Sequence, residues 1–206
     1  MAITSYSDLK TKIASYLGRS DLTSQIPDFI TFAENRLRRE LRIRQMMKSV
    51  TTSTTAADAT VQLPSDFLEV RDFFVNTNPI QPLTYASPSA FSRNSRVSQS
   101  GKPVDYTILA QEFKMAPVPD SSYTLELLYY AAPAYLDDTN TSNTFLANAA
   151  DALLYASLLE EEVYLMNDPR LQTWGSLYDR AINTLTTSDE ASQYSGVPLA
   201  MKTAIQ

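Results

Sequence analysis

Apolar residues are densest between Phe145 and Met166, in the run FLANAADALLYASLLEEEVYLM. Up to Leu159 the few polar residues of this run do not share one face, so a helix here must be covered on most sides. The apolar part is shorter than the roughly 20 residues that cross a bilayer. We therefore expect one helix over Phe145–Met166, at the centre of a soluble core.

A second helix is predicted directly after it. Apolar residues recur at helical spacing from Leu171 to Leu185. Asp168 is a suitable N-cap for this helix and Pro169 suits its first position. Because only a tight turn separates the two helices, we expect them to pack antiparallel as a hairpin.

The N-terminal region has the pattern of two more helices. The first begins at Ser5, where Asp8 completes a capping box, and ends at Gly18. The second opens at Pro27, and one side of it is an apolar line. The residues of this line are Phe29, Ile30, Ala33, Leu37 and Leu41.

The middle of the chain has short alternating runs that are typical of strands. We expect a hairpin of Ser49–Thr55 with Ala59–Leu63 and another of Val104–Leu109 with Glu112–Ala116. Single strands are predicted at Phe67–Val75, Ile80–Ala86 and Ser122–Ala131, with a helical turn after Ser87.

These elements predict an α+β fold that is mainly α. Its core is expected to resemble a four-helix bundle, built from two N-terminal and two C-terminal helices, with a small β-rich insert between them. The predicted domains are a helical domain of residues 1–48 and 144–188, a β-rich insert of residues 49–143, and an extended C-terminal arm of residues 189–206.

Composition argues against an enzyme. The chain has no histidine, no cysteine and only four scattered glycines, so the usual general base, thiolate ligands and phosphate-binding loops are missing. Glu160, Glu161 and Glu162 diverge around a helix, and Glu161 falls nearest its buried side, where it would need an arginine partner. Asp137 and Asp138 lack the spacing of a calcium loop. We predict no catalytic residue, cofactor or metal site, and no signal peptide.

Charge is unevenly distributed along the chain. Residues 1–48 carry a net +4 and residues 120–206 a net −9, within a total of −6. This asymmetry indicates either two partner surfaces or contact between unlike faces of copies, although solvated helix faces of different sign would give the same pattern. The basic stripe, which we define as Arg36, Arg38, Arg39, Arg42 and Arg44, is interpreted as facing a protein partner or a neighbouring copy.

Five segments, taken in order, resemble the head-to-tail adaptor (connector) proteins of tailed bacteriophages, chiefly the short-tailed ones. They are SYSDLKTKIASYLGRSDL, IPDFITFAENRLRRELRIRQM, LPSDFLEVRDFFV, PVDYTILAQEFKMAPVPDSSYTLELLYYAAP and DALLYASLLEEEVYLMNDPRLQTWGSLYDRAINTL. The resemblance covers roughly residues 5–185 and contains no catalytic motif.

The resemblance implies a structural protein of the virion neck that is made in the host cytoplasm. It implies a ring of twelve subunits beneath the portal protein that extends the DNA channel and carries the tail tube or nozzle. Genomic DNA would pass without sequence-specific binding, and no membrane is involved. The C-terminal segment would reach the portal, which assigns that role to Ser195, Val197, Pro198, Leu199, Met201 and Ile205.

Two alternatives from other classes stay open. A virion hydrolase acting on cell-wall glycan would need two carboxylates about 5–10 Å apart across a cleft. A DNA-binding protein would place the basic stripe along phosphates and would bind duplex DNA with a steep salt dependence.

Overall fold

The computed structural model describes residues 3–18, 21–164 and 168–193. The chain divides into two compact units. The helical unit comprises Met1–Met46 and Pro133–Gln206, and the β unit comprises Met47–Ala132. The helical unit is thus built from two pieces of chain that are separated by the whole β unit.

Helices and strands are numbered in chain order. The helices are α1 (Tyr6–Leu17), α2 (Ile26–Glu40), α3 (Pro88–Ser92), α4 (Thr144–Asn148), α5 (Ala150–Leu159) and α6 (Arg170–Gln193), with 3₁₀ turns at Arg44–Met46, Ser95–Ser98 and Glu160–Val163. The strands are β1 (Met47–Ser53), β2 (Thr60–Gln62), β3 (Phe67–Val75), β4 (Gln81–Pro82), β5 (Thr84–Tyr85), β6 (Asp105–Leu109), β7 (Glu112–Ala116) and β8 (Thr124–Ala131).

Helix α1 has the ends that its sequence predicts. The Ser5 hydroxyl accepts a hydrogen bond from the Asp8 backbone N–H, and the Asp8 carboxylate accepts one from the Ser5 N–H. These two bonds satisfy amides that the first turn leaves free. At the other end Gly18 adopts φ +66°, a left-handed conformation that glycine reaches without strain.

Helix α5 is the centre of the helical unit. It contacts α1, α2 and α6, and the side chains that it buries lie on several of its sides: Ala152, Leu153, Leu154, Ala156, Ser157 and Leu158. Ser157 is tolerated there because its hydroxyl donates to the Leu153 carbonyl at 2.8 Å. The prediction of a central helix covered on most sides is confirmed.

The predicted single helix over Phe145–Met166 is wrong in its extent. Ala149, at φ −143° and ψ 40°, separates α4 from α5, and a 3₁₀ turn replaces the α-helix from Glu160. No glycine or proline marks the break at Ala149, and nothing in the local sequence explains it. The last residues of the predicted helix lie outside the described part of the chain.

Two four-stranded sheets form the β unit. The first has the strand order β1-β8-β3-β4 and the second has the order β2-β7-β6-β5. All pairs are antiparallel except β5 with β6. Strand β8 lies between β1 and β3, so β8 and β3 are the two inner strands of the first sheet.

The two sheets share one hydrophobic core. The first sheet contributes Phe73, Val75, Leu125, Leu127 and Tyr129, and the second contributes Tyr106, Phe113 and Met115. The ring centroids of Phe73 and Phe113 are 4.7 Å apart, which joins the sheets at the middle of the core. Aromatic pairs at this distance add to the stabilisation from burial.

The prediction of a mainly helical fold is therefore wrong. The protein is a mixed α+β fold with 43% helix and 23% strand, and not a four-helix-bundle core with a small β-rich insert. The physical reason is that the β segment builds two packed layers with a core of their own. A segment that can bury this much apolar surface forms a complete compact unit.

Of the three predicted single strands, two form, as β3 and β8, but the predicted strand Ile80–Ala86 divides into β4 and β5, which lie in different sheets. One predicted pairing is also wrong. The hairpin of β6 with β7 is confirmed, as are the bounds of β3. The predicted hairpin between residues 49–55 and 59–63 does not form. Instead β1 pairs with β8 and β2 pairs with β7, in different sheets.

None of the helices in the described part of the chain is both long and apolar enough to cross a lipid bilayer.

Truncation of Leu154 to alanine tests the burial of α5. Because Leu154 is 5% exposed, Leu154→Ala should lower the free energy of unfolding by about 2–5 kcal/mol, measured by urea denaturation. Leu109→Ala is the matched control, since Leu109 is 43% exposed and its truncation should cost less than about 1 kcal/mol. Equal losses in the two variants would contradict the packing of α5.

Candidate interaction surfaces

The basic stripe does not form one continuous face. Helix α2 ends at Glu40, so Arg36, Arg38 and Arg39 lie on the helix, whereas Arg42 and Arg44 lie beyond it. The helical spacing that would align all five side chains is therefore lost after Glu40.

Two stripe arginines on α2 are engaged within the helical unit. Arg36 is 2.5 Å from the Glu160 carboxylate and lies over the Tyr178 ring. Arg38 donates to the Pro133 carbonyl, and its guanidinium lies 3.4 Å from the centroid of the Tyr135 ring. Stacking on an aromatic face is a contact that arginine makes better than lysine.

The arginines beyond α2 also bind inside this unit. Arg42 donates to the Arg38 and Leu41 carbonyls at 2.9 and 2.8 Å, and so closes the end of the helix. The Arg44 backbone N–H donates to the buried Asp189 carboxylate at 3.0 Å. The Arg44 guanidinium is 3.8 Å from the same carboxylate.

Arg39 and Phe32 form the outward part of α2. They lie seven residues apart and therefore on the same side of the helix. Phe32 is 54% exposed, and Arg39 is exposed without an ion pair among the described residues. We call these two residues the α2 outer patch. The prediction that the basic stripe faces a partner stays a prediction. Because the other stripe arginines bind within the helical unit, the α2 outer patch is the part of the stripe that is best placed for such a contact.

Part of the charge asymmetry is used inside the helical unit. Ion pairs between described residues join its basic N-terminal piece to its acidic C-terminal piece, and they include Lys10–Asp138, Arg36–Glu160 and Arg44–Asp189. Lys10–Asp138 is largely exposed and contributes little to stability. The two pieces thus meet with charges of opposite sign.

Glu34 binds the chain where it returns from the β unit. We call residues 133–143 the return segment. The Glu34 side chain is fully buried and accepts hydrogen bonds from the Leu136 backbone N–H at 3.2 Å and from the Asn143 amide at 2.6 Å. Burial raises the pKa of Glu34 to about 7, although these two hydrogen bonds oppose the rise. Glu40, at the end of the same helix, accepts a hydrogen bond from the Tyr178 hydroxyl.

The three consecutive glutamates diverge as predicted. Glu160 pairs with Arg36, Glu162 is exposed, and Glu161 is fully buried. Neither carboxylate oxygen of Glu161 has a hydrogen-bond partner among the described residues. Burial raises the pKa of Glu161 to about 8, and the charge of Arg170 partly offsets this. Arg170 itself is bound to Asp168, and the arginine partner that was predicted for Glu161 is not found among the described residues.

Asp168 acts at the start of α6 as predicted. Its carboxylate accepts from the Arg170 backbone N–H at 2.9 Å and pairs with the Arg170 guanidinium. These contacts satisfy an amide of the first turn and hold the pKa of Asp168 below its usual value.

The acidic loop that could have held a cation is closed by its own hydrogen bonds. The Asp137 carboxylate accepts from the Thr139 and Asn140 backbone N–H groups, both at 2.6 Å. Asp138 pairs with Lys10 at 2.8 Å. Within the described ranges no group of histidine, cysteine or acidic residues is arranged to hold a metal ion.

One polar pocket adjoins the last turns of α6. Its volume is about 210 Å³, and its lining includes Arg44, Asn148, Ser188, Asp189 and Ser192. The charges that face it are the Arg44–Asp189 pair, which neutralise each other. The pocket therefore presents hydrogen-bonding groups without a net charge.

The family model for the SU10 adaptor protein matches residues 4–202. The chain belongs to the SU10 adaptor protein family. This confirms the resemblance to phage head-to-tail adaptors that the five sequence segments indicated. A search of curated proteins finds no match to the chain.

The adaptor family match extends into the C-terminal arm. The predicted portal-binding residues Ser195, Val197, Pro198, Leu199, Met201 and Ile205 all lie outside the described residues. Their role in this adaptor stays a prediction.

Sequence reasoning missed several groups that organise this adaptor. Glu34 could have been found, because it lies four residues from the buried Ile30 and three from the buried Leu37. Asp189 and Tyr178 carry no comparable signal, since their partners Arg44 and Glu40 are more than a hundred residues away in sequence.

The buried Glu161 should make stability depend on pH. Its pKa is about 4.5 when exposed and about 8 when folded, so folding favours the protonated form. Stability should therefore fall as the pH rises from about 4.5 to about 8. Glu161→Gln removes this charge and should raise the free energy of unfolding by at least about 1 kcal/mol at pH 8.5, with a smaller gain at pH 5.

Glu162→Gln is the matched control because Glu162 is the exposed neighbour. It should leave the pH dependence of the melting temperature unchanged. If both variants shift the curve equally, the burial of Glu161 has been misassigned.

Proposed function

We propose that this protein is a structural head-to-tail adaptor of the phage virion and that it has no catalytic activity. Copies form a ring, of twelve subunits, beneath the portal protein. The ring extends the DNA channel and docks the tail tube or nozzle. It belongs to the virion neck and is made in the host cytoplasm.

The observation that carries this proposal is the family match over residues 4–202. It spans both structural units, so the whole chain, and not one borrowed domain, is of the adaptor type. The net charge of −6 supports passage of DNA without retention, because like charges repel phosphates.

The structure disfavours DNA binding through the basic stripe. Arg36, Arg38 and Arg44 are held by groups of the helical unit, so they are not free to follow a row of phosphates. Only Arg39, among the stripe residues that the structure describes, is exposed without an ion pair. One such cation falls short of the several phosphate contacts that give salt-dependent binding.

The α2 outer patch supports a protein contact instead. An exposed aromatic side chain beside an unpaired arginine combines two residue types that are enriched in protein interfaces. Phe32 and Arg39 are held on a helix whose opposite side is fixed in the core by Ile30, Ala33 and Leu37. The patch is therefore presented on a rigid element.

Sedimentation with the portal ring from the same genome tests the adaptor role. We expect co-sedimentation at about one chain per portal subunit, the ratio that a ring matching a twelve-subunit portal requires. No association at micromolar concentrations of both proteins would overturn the proposal.

Reversing the charge of Arg39 tests the α2 outer patch. Arg39→Glu should weaken co-assembly on the portal at least about tenfold, because the outward cation is replaced by an anion. Arg180→Glu is the matched control, since Arg180 is also exposed on a helix and makes no side-chain ion pair among the described residues. It should assemble like the wild type, and equal losses would show a general effect of charge.

A further inference from the structure

Strand β1 has one free edge. It is the outer strand of its sheet, and β8 is its only partner in the described chain. The Thr54 N–H donates to the Tyr123 carbonyl, one residue beyond the β1–β8 ladder. Because bonded positions alternate in an antiparallel pair, Val50 and Thr52 bond to β8. Ser49, Thr51 and Ser53 therefore direct their N–H and C=O groups to the free edge.

An apolar cleft lies beside this edge, between β1 and β2. Its volume is about 250 Å³, and its apolar lining includes Val50, Val61, Leu63, Phe73, Phe113 and Leu127. Val50 points to the core side of its sheet, opposite Leu127 in the ladder, yet it is 37% exposed. The two sheets are thus incompletely closed on this side.

The cleft lining contains no charged residue. A free strand edge with an uncharged apolar cleft next to it fits an extended segment that adds as a further strand. Such a segment must be uncharged and must carry an apolar side chain at every second position, since alternate residues of a strand share one face.

The C-terminal part of this chain has that pattern. Val197, Leu199 and Met201 alternate with Pro198 and Ala200, and residues 191–201 carry no charge. Thirteen residues, 194–206, follow the last described helix. An extended chain would span about 13 Å from the end of α6 to Val197 and about 26 Å to Met201, which is enough to contact a copy that lies beside the end of that helix.

We propose that residues 197–201, which the resemblance alone assigns to the portal, instead add as a strand to the free edge of β1 in a second copy of this chain, with Val197, Leu199 and Met201 in the cleft. The contact joins copies head to tail, so it repeats from one subunit to the next and closes when a ring is complete. It gives the proposed adaptor ring a bond between subunits that involves no portal residue.

Pro198 determines the direction of the added strand. An antiparallel strand with Leu199 in the cleft would place Pro198 where an N–H must donate to β1, and proline has none. In a parallel strand with Pro198 opposite Thr51, the Val197 carbonyl and the Leu199 N–H make the bonds to Thr51, and Pro198 faces away. The added strand is therefore parallel to β1.

Disulfide cross-linking between copies tests the contact. Because the sequence contains no cysteine, the introduced cysteines are the only ones of this chain that can react. Full-length Thr52→Cys and Leu199→Cys chains are mixed under mild oxidation, alone and with the portal ring present. We expect a disulfide between the two variants, because parallel pairing places residue 199 beside residue 52. Only a link between different copies can join them.

The matched control replaces Leu199→Cys by Ala200→Cys, which faces away from the cleft. Its yield with Thr52→Cys should be at least about tenfold lower, since adjacent strand residues point to opposite faces. In a Thr51→Pro/Thr52→Cys chain the loss of the edge N–H should abolish the link to Leu199→Cys. Circular dichroism checks that this chain folds.

Equal yields from Leu199→Cys and Ala200→Cys, or no link with or without portal, would overturn the proposal. Portal co-sedimentation of the same variants is scored separately. If the cross-link fails while the variants still co-sediment, the strand contact is wrong and the adaptor function stands. If addition of the portal ring prevents the link between residues 199 and 52, residues 197–201 bind the portal and not β1.

Discussion

The burial of α5 is the constraint on which the helical unit depends. This helix is apolar on nearly every side, so it is stable only where other helices cover it. Its cover comes from α1 and α2 before the β unit and from α6 after it. The chain must therefore leave after α2, build eight strands, and return to the same place. Neither piece of the helical unit can form this core alone, which makes its folding a long-range event.

Polar contacts guide that return. Glu34, Asn35 and Arg38 lie on α2 and bind the return segment through Leu136, the Tyr135 hydroxyl and the Pro133 carbonyl. Opposite net charges on the N-terminal and C-terminal pieces of the helical unit also favour their association. The cost is the burial of a carboxylate, which raises the pKa of Glu34 to about 7 because the charged form loses its hydration. The uneven distribution of charge along the sequence, which suggested external partners, thus partly serves contacts within the helical unit.

Features written in a few neighbouring residues could be predicted from the sequence. The Ser5 capping box, Gly18, the Asp168 cap and the β6–β7 hairpin each depend on contacts within a few residues. The pairing of β1 with β8 joins residues about 80 apart, and nothing local distinguishes it from the expected hairpin. The break at Ala149 likewise has no local signal. The five arginines of the basic stripe do not share one helix face because α2 ends at Glu40. The sequence did not indicate this end, since the apolar line continues to Leu41.

The pairing of Met47 with Tyr130 places the first and last strands of the β unit side by side. Tension transmitted along the chain from the helical unit would therefore pull β1 and β8 apart from their adjacent ends. The hydrogen bonds of this ladder lie across the strands, so they would open one after another, as in a zipper, and would not share the load in shear. The β8–β3 ladder, which continues the sheet beyond β8, would be the next to resist. Mechanical weakness in this sheet is thus set by topology and not by the strength of its core.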